Sequence, residues 1–215
     1  MTLQNRVNPF GELISIPARG MFLGNRGGRI HRNGQLIGKR RWASRRWICC
    51  LLEFRERHRE VWAEGYTQVF FLDEPTALSA GHRPCFECRR RDAKSFAACW
   101  QCAFCLTKAL HAPEMDELLH AERVYGRAKR IHRRPIDVLP DGVFIALPTA
   151  GNFAVRGDKL LPWTPGGYDQ HVARPLSIDV DVLTPPSIVA VLGAGYRPLW
   201  DPSANYIFRV AQSAP

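Results

Sequence analysis

The sequence predicts an α+β protein in two parts, a mixed helix-and-strand region over residues 1–134 and a small β-rich module over residues 135–215. Three observations predict it. Trp47 to Phe54 and Tyr66 to Leu72 are rich in aromatic and aliphatic residues, as strands are. Apolar residues between Arg90 and Tyr125 recur at helical spacing. After Pro135 the pattern changes to short apolar runs separated by Gly, Pro and Asn turns.

In chain order, Gly24 to Gly34 is a glycine- and arginine-rich loop whose successive amides suit an anion-binding nest. The same stretch reads as a hairpin turning at Asn33-Gly34 between Arg29-Ile30 and Leu36-Ile37. In the strand Trp47 to Phe54, alternation puts Cys50 with Ile48, Leu52 and Phe54, and Cys49 with Trp47 and Leu51. Only one of the two cysteines can therefore face a given site. Asp73 is the expected N-cap of a short helix through Ala80, with Pro75 in its first turn and Gly81 as its left-handed stop. A longer helix is expected from about Arg90 to Leu110, with Ala93, Phe96, Ala97, Trp100 and Phe104 inward, and a third from about Glu114 to Gly126. The basic stretch Arg127 to Pro135 then reads as a linker, with Pro135 as the boundary. "DGVFIAL", "NFAVRGDKLLPW" and "LSIDVDVL" are expected strands, followed by a short apolar helix capped by Thr184.

With 215 residues, 46% apolar and 23% charged, the chain can bury a core, so disorder is not the expectation. Its apolar runs are shorter than the roughly 20 residues a membrane helix needs. The charged first 20 residues lack a signal-peptide core, so a cytoplasmic protein without a membrane partner is expected. Seven cysteines in a reducing compartment point to metal or burial rather than disulfides. Residues 1–134 hold 25 Lys and Arg against 13 Asp and Glu, a balance of +12, whereas residues 135–215 hold 5 against 7, a balance of −2. A basic half suits a polyanion, nucleic acid first and DNA before RNA. In "KRRWASRRW", Lys39, Arg40, Arg41, Arg45 and Arg46 suit phosphates while Trp42 or Trp47 suits unpaired bases. Arg26, Arg29, Arg83 and Arg89 extend the expected interface.

Cys85-Phe86-Glu87-Cys88 is a Cys-x-x-Cys pair whose thiolates a tight turn brings within about 4 Å, a spacing that suits tetrahedral Zn²⁺. Pro84 stiffens the approach, and Arg83, Arg89 and Arg90 favour thiolates. Redox chemistry uses the same spacing but lacks its usual preceding βαβ pattern here, and plain burial is the third reading. A second pair, Cys102 and Cys105, falls inside the long expected helix among apolar neighbours and reads as core.

"YTQVFFLDEPTALSAGHRPCFECRRRDA" resembles the second half of the metal-binding domain of the Ada DNA-repair family, with Phe70, Ala77, Ala80, Gly81, Arg83, Pro84, Cys85 and Cys88 in order. The resemblance covers about residues 66–93 and implies a zinc knuckle beside a DNA-phosphate surface, with Cys85 and Cys88 as ligands. The family's other two ligands are a cysteine pair separated by three residues on the preceding strand, one of which accepts a methyl group. Here that stretch offers only "ICCLLEF", so methyl acceptance is not carried over. Cys50 is then the expected third ligand, with Cys49 as its alternative. His31, on the basic loop before the cysteine strand, is preferred as the fourth over His82, His120 or water.

A hydrolytic alternative comes from His120-Ala121-Glu122, since zinc nucleobase deaminases combine His-x-Glu with Pro-Cys-x-x-Cys. Here the order of the motifs is reversed, and residues two apart on a helix lie about 200° around its axis. His120 and Glu122 are nevertheless the expected acid-base pair if the protein is an enzyme. The remaining alternative is a non-catalytic protein-interaction factor with a structural zinc.

Overall fold

The computed structural model describes residues 2–55, 61–62, 64–148 and 150–205. Among the described residues it is an α+β fold built on two six-stranded sheets, with four α-helices packed on them. The helices are α1 (Glu74–Ser79), α2 (Arg90–Ala103), α3 (Ala112–Arg123) and α4 (Pro186–Gly193). None is long and apolar enough to cross a membrane.

The first sheet runs in the order Leu13–Ile14, Arg6–Val7, Val69–Phe71, Phe22–Arg26, Trp47–Leu51 and Arg83–Pro84. Its centre is the antiparallel pairing of Phe22–Arg26 with Trp47–Leu51, which sets Leu23 opposite Cys50 and Gly24 opposite Cys49. Only glycine fits at position 24, because a Cβ there would lie 2.1 Å from the Ile48 carbonyl oxygen and 2.8 Å from the Phe71 ring. Arg83–Pro84 adds in parallel beside Ile48 and Cys49, and the Cys85 amide donates to the Cys49 carbonyl at 2.9 Å. That pairing delivers the Cys-x-x-Cys turn to the strand carrying Cys50. The expected hairpin also forms, His31–Arg32 against Gln35–Leu36, with Asn33 and Gly34 both at positive φ as a two-residue turn requires.

Local signals account for α1. Asp73 caps it, accepting from the Thr76 amide at 3.0 Å and its hydroxyl at 2.7 Å, and Gly81 follows at φ 84. Helix α2 ends at Ala103 rather than near Leu110. Cys105 turns left-handed at φ 49, and the Leu106 amide folds back to the Gln101 carbonyl at 3.0 Å, which closes the helix. Cys102 and Cys105 are consequently exposed, not core. Thr184 does not cap α4, because its hydroxyl accepts from the Phe144 amide at 2.9 Å. The Glu122 carboxylate serves that end instead, accepting from the Ser187 amide at 2.9 Å and hydroxyl at 2.6 Å.

The second sheet is antiparallel throughout, in the order His132–Pro135, Asp179–Val182, Phe144–Leu147, Gly151–Arg156, Lys159–Pro162 and Val172–Ala173. Pro135 therefore closes a strand of this sheet instead of marking a linker. One buried cluster joins Leu78, Phe96, Trp100, Met115 and Leu119 from α1–α3 to Ile145, Val155, Val182, Ile188 and Leu192 beyond the expected boundary. Polar ties reinforce it. Tyr168 donates to Asp73 at 2.9 Å and Tyr196 to Glu74 at 2.6 Å. The C-terminal half thus supports the helices that position the cysteines.

Candidate metal centre and cationic face

The strand Trp47–Leu51 divides the basic half into two environments. On one side Cys50 meets Cys85 and Cys88, all three buried, with their sulfurs within 4.8 Å of one another. This group could hold a metal ion. Three sulfurs on tetrahedral Zn–S bonds of about 2.3 Å would lie roughly 3.8 Å apart, so the trio needs only a small contraction to close on an ion. Contacts from Cys50 and then Cys88 hold Cys85 far below the ordinary thiol range, while the same Cys85 contact pushes Cys50 up. Cys85 Sγ also accepts from the Glu87 amide at 3.4 Å. Three sulfurs with an amide on one of them form a donor set that could hold a cation.

Alternation decides between the adjacent cysteines as expected. Cys49 faces the opposite core, where burial pushes its thiol up and Arg89 Nη1 donates to its sulfur at 3.4 Å.

The three histidine candidates do not join the sulfurs, which is a correction to the expected ligand set. His31 stacks on Trp62 with ring centroids 4.9 Å apart, donates from Nε2 to the Trp62 carbonyl at 2.7 Å, and has Nδ1 2.7 Å from the Thr67 hydroxyl. Both ring nitrogens are committed there. His82 is buried among aromatics, and its Nε2 accepts from Arg26 Nε at 3.3 Å. His120 Nδ1 accepts from Arg123 Nη2 at 3.0 Å, with its ring edge-on to Trp42. Cys50 and Cys85 instead border a cavity of about 360 Å³ whose wall includes Asn25, Arg46, Tyr66, Gln68 and Glu87.

His120 and Glu122 do not converge either. His120 lies against the tryptophans, whereas Glu122 is engaged at the start of α4. The helix angle between them separates them, as their spacing implied.

No family model, curated protein or solved structure matches this chain. Its chemistry is therefore read from its own side chains.

The arginines proposed for an interface split by burial. Arg29, Lys39, Arg40, Arg45 and Arg46 are exposed, and Arg41 and Trp42 are half-buried. Arg26, Arg83 and Arg89 are buried, which corrects their assignment to an outer surface. Arg83 pairs with Asp116. Arg89 lies 2.8 Å from both Glu74 and Asp92 and stacks over Phe22 at 4.5 Å, tying α1 to α2. Arg26 covers one ring of Trp47 at 4.2 Å, and Arg123 covers the indole at 4.1 Å. Sequence reasoning missed Arg123, Lys129 and His82 as parts of one cationic cluster. Its only signal was the acid-free run Arg127 to Pro135, read as a linker.

Proposed function

We propose that the chain is a zinc protein that binds nucleic acid, DNA before RNA. The carrying observation is the buried Cys50, Cys85 and Cys88 trio, an all-sulfur donor set of the kind that selects a soft, tetrahedral divalent ion. Arg46 in the wall of the adjoining cavity connects that site to the exposed Lys39–Arg46 stretch, whose cations suit phosphates and whose half-buried Trp42 suits a base. The knuckle acts in this reading as the rigid support of the basic face.

The test combines metal analysis with fluorescence anisotropy on duplex and single-stranded oligonucleotides across a salt series. One zinc per chain and a steep loss of affinity with salt are expected, with Arg40→Ala weakening binding and leaving zinc in place. A protein purified under reducing conditions without zinc, or binding insensitive to salt, sinks the reading.

Glu87 on the cavity wall beside Cys85 favours one alternative, hydrolytic zinc chemistry with the carboxylate as proton carrier. X-ray absorption separates the two. A metal-bound oxygen favours hydrolysis, and a fully protein-derived shell favours the supporting role.

A further inference from the structure

On the other side of the strand Trp47–Leu51 lies a cavity of about 530 Å³, large enough for a nucleotide-sized ligand. Arg26, Arg41, Arg123, Arg127 and Lys129 line it together with Trp42 and Trp47. Glu12 is the one carboxylate in the wall, and it already accepts from Asn8 Nδ2 at 2.8 Å. We propose that this cavity is a binding site for a phosphate monoester, with Arg26, Arg123 and Lys129 as its inner cations and Arg127 at its exposed edge.

Uncompensated buried charge carries the proposal. Among the described residues, Arg26, Arg123 and Lys129 form no ion pair with a carboxylate. Arg26 and Arg123 are 2% and 1% exposed, and burying an unpaired guanidinium is costly. Their partners are neutral. Arg26 donates to the Gly11 carbonyl at 2.7 Å and to His82, and Arg123 to the Gly81 carbonyl at 2.8 Å and the Arg45 carbonyl at 2.6 Å. Arg123 Nε has no hydrogen-bond partner, and neither has the buried Nδ1 of His82 beneath it. Lys129 draws its ammonium inward onto the Ser79 carbonyl.

The cations are also held in place. The guanidinium groups of Arg26 and Arg123 both stack on Trp47, and Gly81 leaves room for the Arg123 stem, since a Cβ there would lie 2.5 Å from its Cδ. Burial lowers Arg26 to about 9 and Lys129 to about 7, and it lowers Arg123 to about 9 despite the opposing pull of Asp116. Several positive groups around one concave site suit a dianion better than a single carboxylate, and guanidinium forks match phosphate oxygens. Trp47 is buried beneath Arg26 and Arg123, whereas half-buried Trp42 offers an aromatic surface to a ring attached to the phosphate.

The phosphate could belong to a free nucleotide or to the end of a nucleic-acid strand. The proposal does not rest on the zinc and nucleic-acid reading, because none of its residues touches the sulfur trio. The test is calorimetry with inorganic phosphate, 5′-AMP and adenosine, followed by competition of AMP with 5′-phosphorylated and 5′-hydroxyl oligonucleotides. AMP and inorganic phosphate should bind and adenosine should not. Exposed Arg127→Ala and Lys129→Met should each weaken AMP by at least about tenfold, the scale of one lost charged hydrogen bond. Lys108→Ala, exposed and outside the cavity wall, should leave AMP binding unchanged. Competition by the phosphorylated strand alone identifies a strand end, and competition by neither identifies a free nucleotide. Equal competition by both strands, equal binding of AMP and adenosine, or wild-type affinity in both cavity variants overturns the proposal.

Discussion

Arg83 grips Asp116 through two hydrogen bonds of 2.9 and 2.8 Å, both side chains buried, so the residue next to Pro84-Cys85 is fixed to α3. Removing the carboxylate leaves a buried guanidinium whose remaining partners among the described residues are the Pro84 carbonyl and the Phe86 ring. Asp116→Ala should cost about 3–5 kcal/mol in denaturant unfolding. It should also lower metal occupancy, because the turn that presents Cys85 loses its anchor. Adding Arg83→Met should recover much of the stability, since the orphaned charge goes with it.

Cys49 and Cys50 are neighbours with opposite fates. Cys50→Ser should remove the bound metal, as should Cys85→Ser or Cys88→Ser, whereas Cys49→Ser should retain it, because its side chain lies in the core across the strand. Metal-to-protein ratios by mass spectrometry check this. Stripping the metal with a strong chelator should lower the melting temperature of the wild type and of Cys49→Ser, and leave Cys50→Ser unmoved.

The features legible in the sequence were those that local rules determine. Alternation separated Cys49 from Cys50, Asp73 and Gly81 bounded α1, and Asn33-Gly34 made its hairpin turn. What failed depended on residues distant in the chain. Nothing local tells that Arg83 meets Asp116, that His31 is taken by Trp62, or that Glu122 rather than Thr184 serves the start of α4. Charge counting likewise assigned Arg26, Arg83 and Arg89 to an interface, although aromatic faces and distant carboxylates bury all three.

Glu122 acts through the first turn of α4, where free amides favour an anion. Glu122→Ala should therefore cost about 1–2 kcal/mol of stability, the range of a lost helix cap. Ser187→Ala should couple to it in a double-mutant cycle. A loss of metal or of nucleic-acid affinity at unchanged stability would contradict this role.

Exposed and buried arginines should differ in their salt signatures. Arg40→Ala should lower the magnitude of the slope of log affinity against log salt by about 0.7–0.9, the value of one lost phosphate contact. Arg89→Met should instead unfold the protein more readily, since Glu74 and Asp92 lose their buried cation. Arg45 is exposed but pairs with Glu117, so Arg45→Ala should have a smaller effect on the slope than Arg40→Ala.

Lys129 ties stability to pH on the alkaline side of neutrality. Burial, with Arg26 and Arg123 nearby, lowers it from 10.5 to about 7 in the folded chain. Below that value both states are protonated and the folded protein bears the full repulsion. Between about 7 and 10.5 the unfolded chain keeps its proton while the folded one releases it, so this group makes stability rise with pH. Above 10.5 the penalty is gone from both states. Lys129→Met should flatten that rise in melting temperature across the alkaline range. It should also make the protein more stable near neutrality without phosphate, because a hydrophobic stem replaces an uncompensated charge.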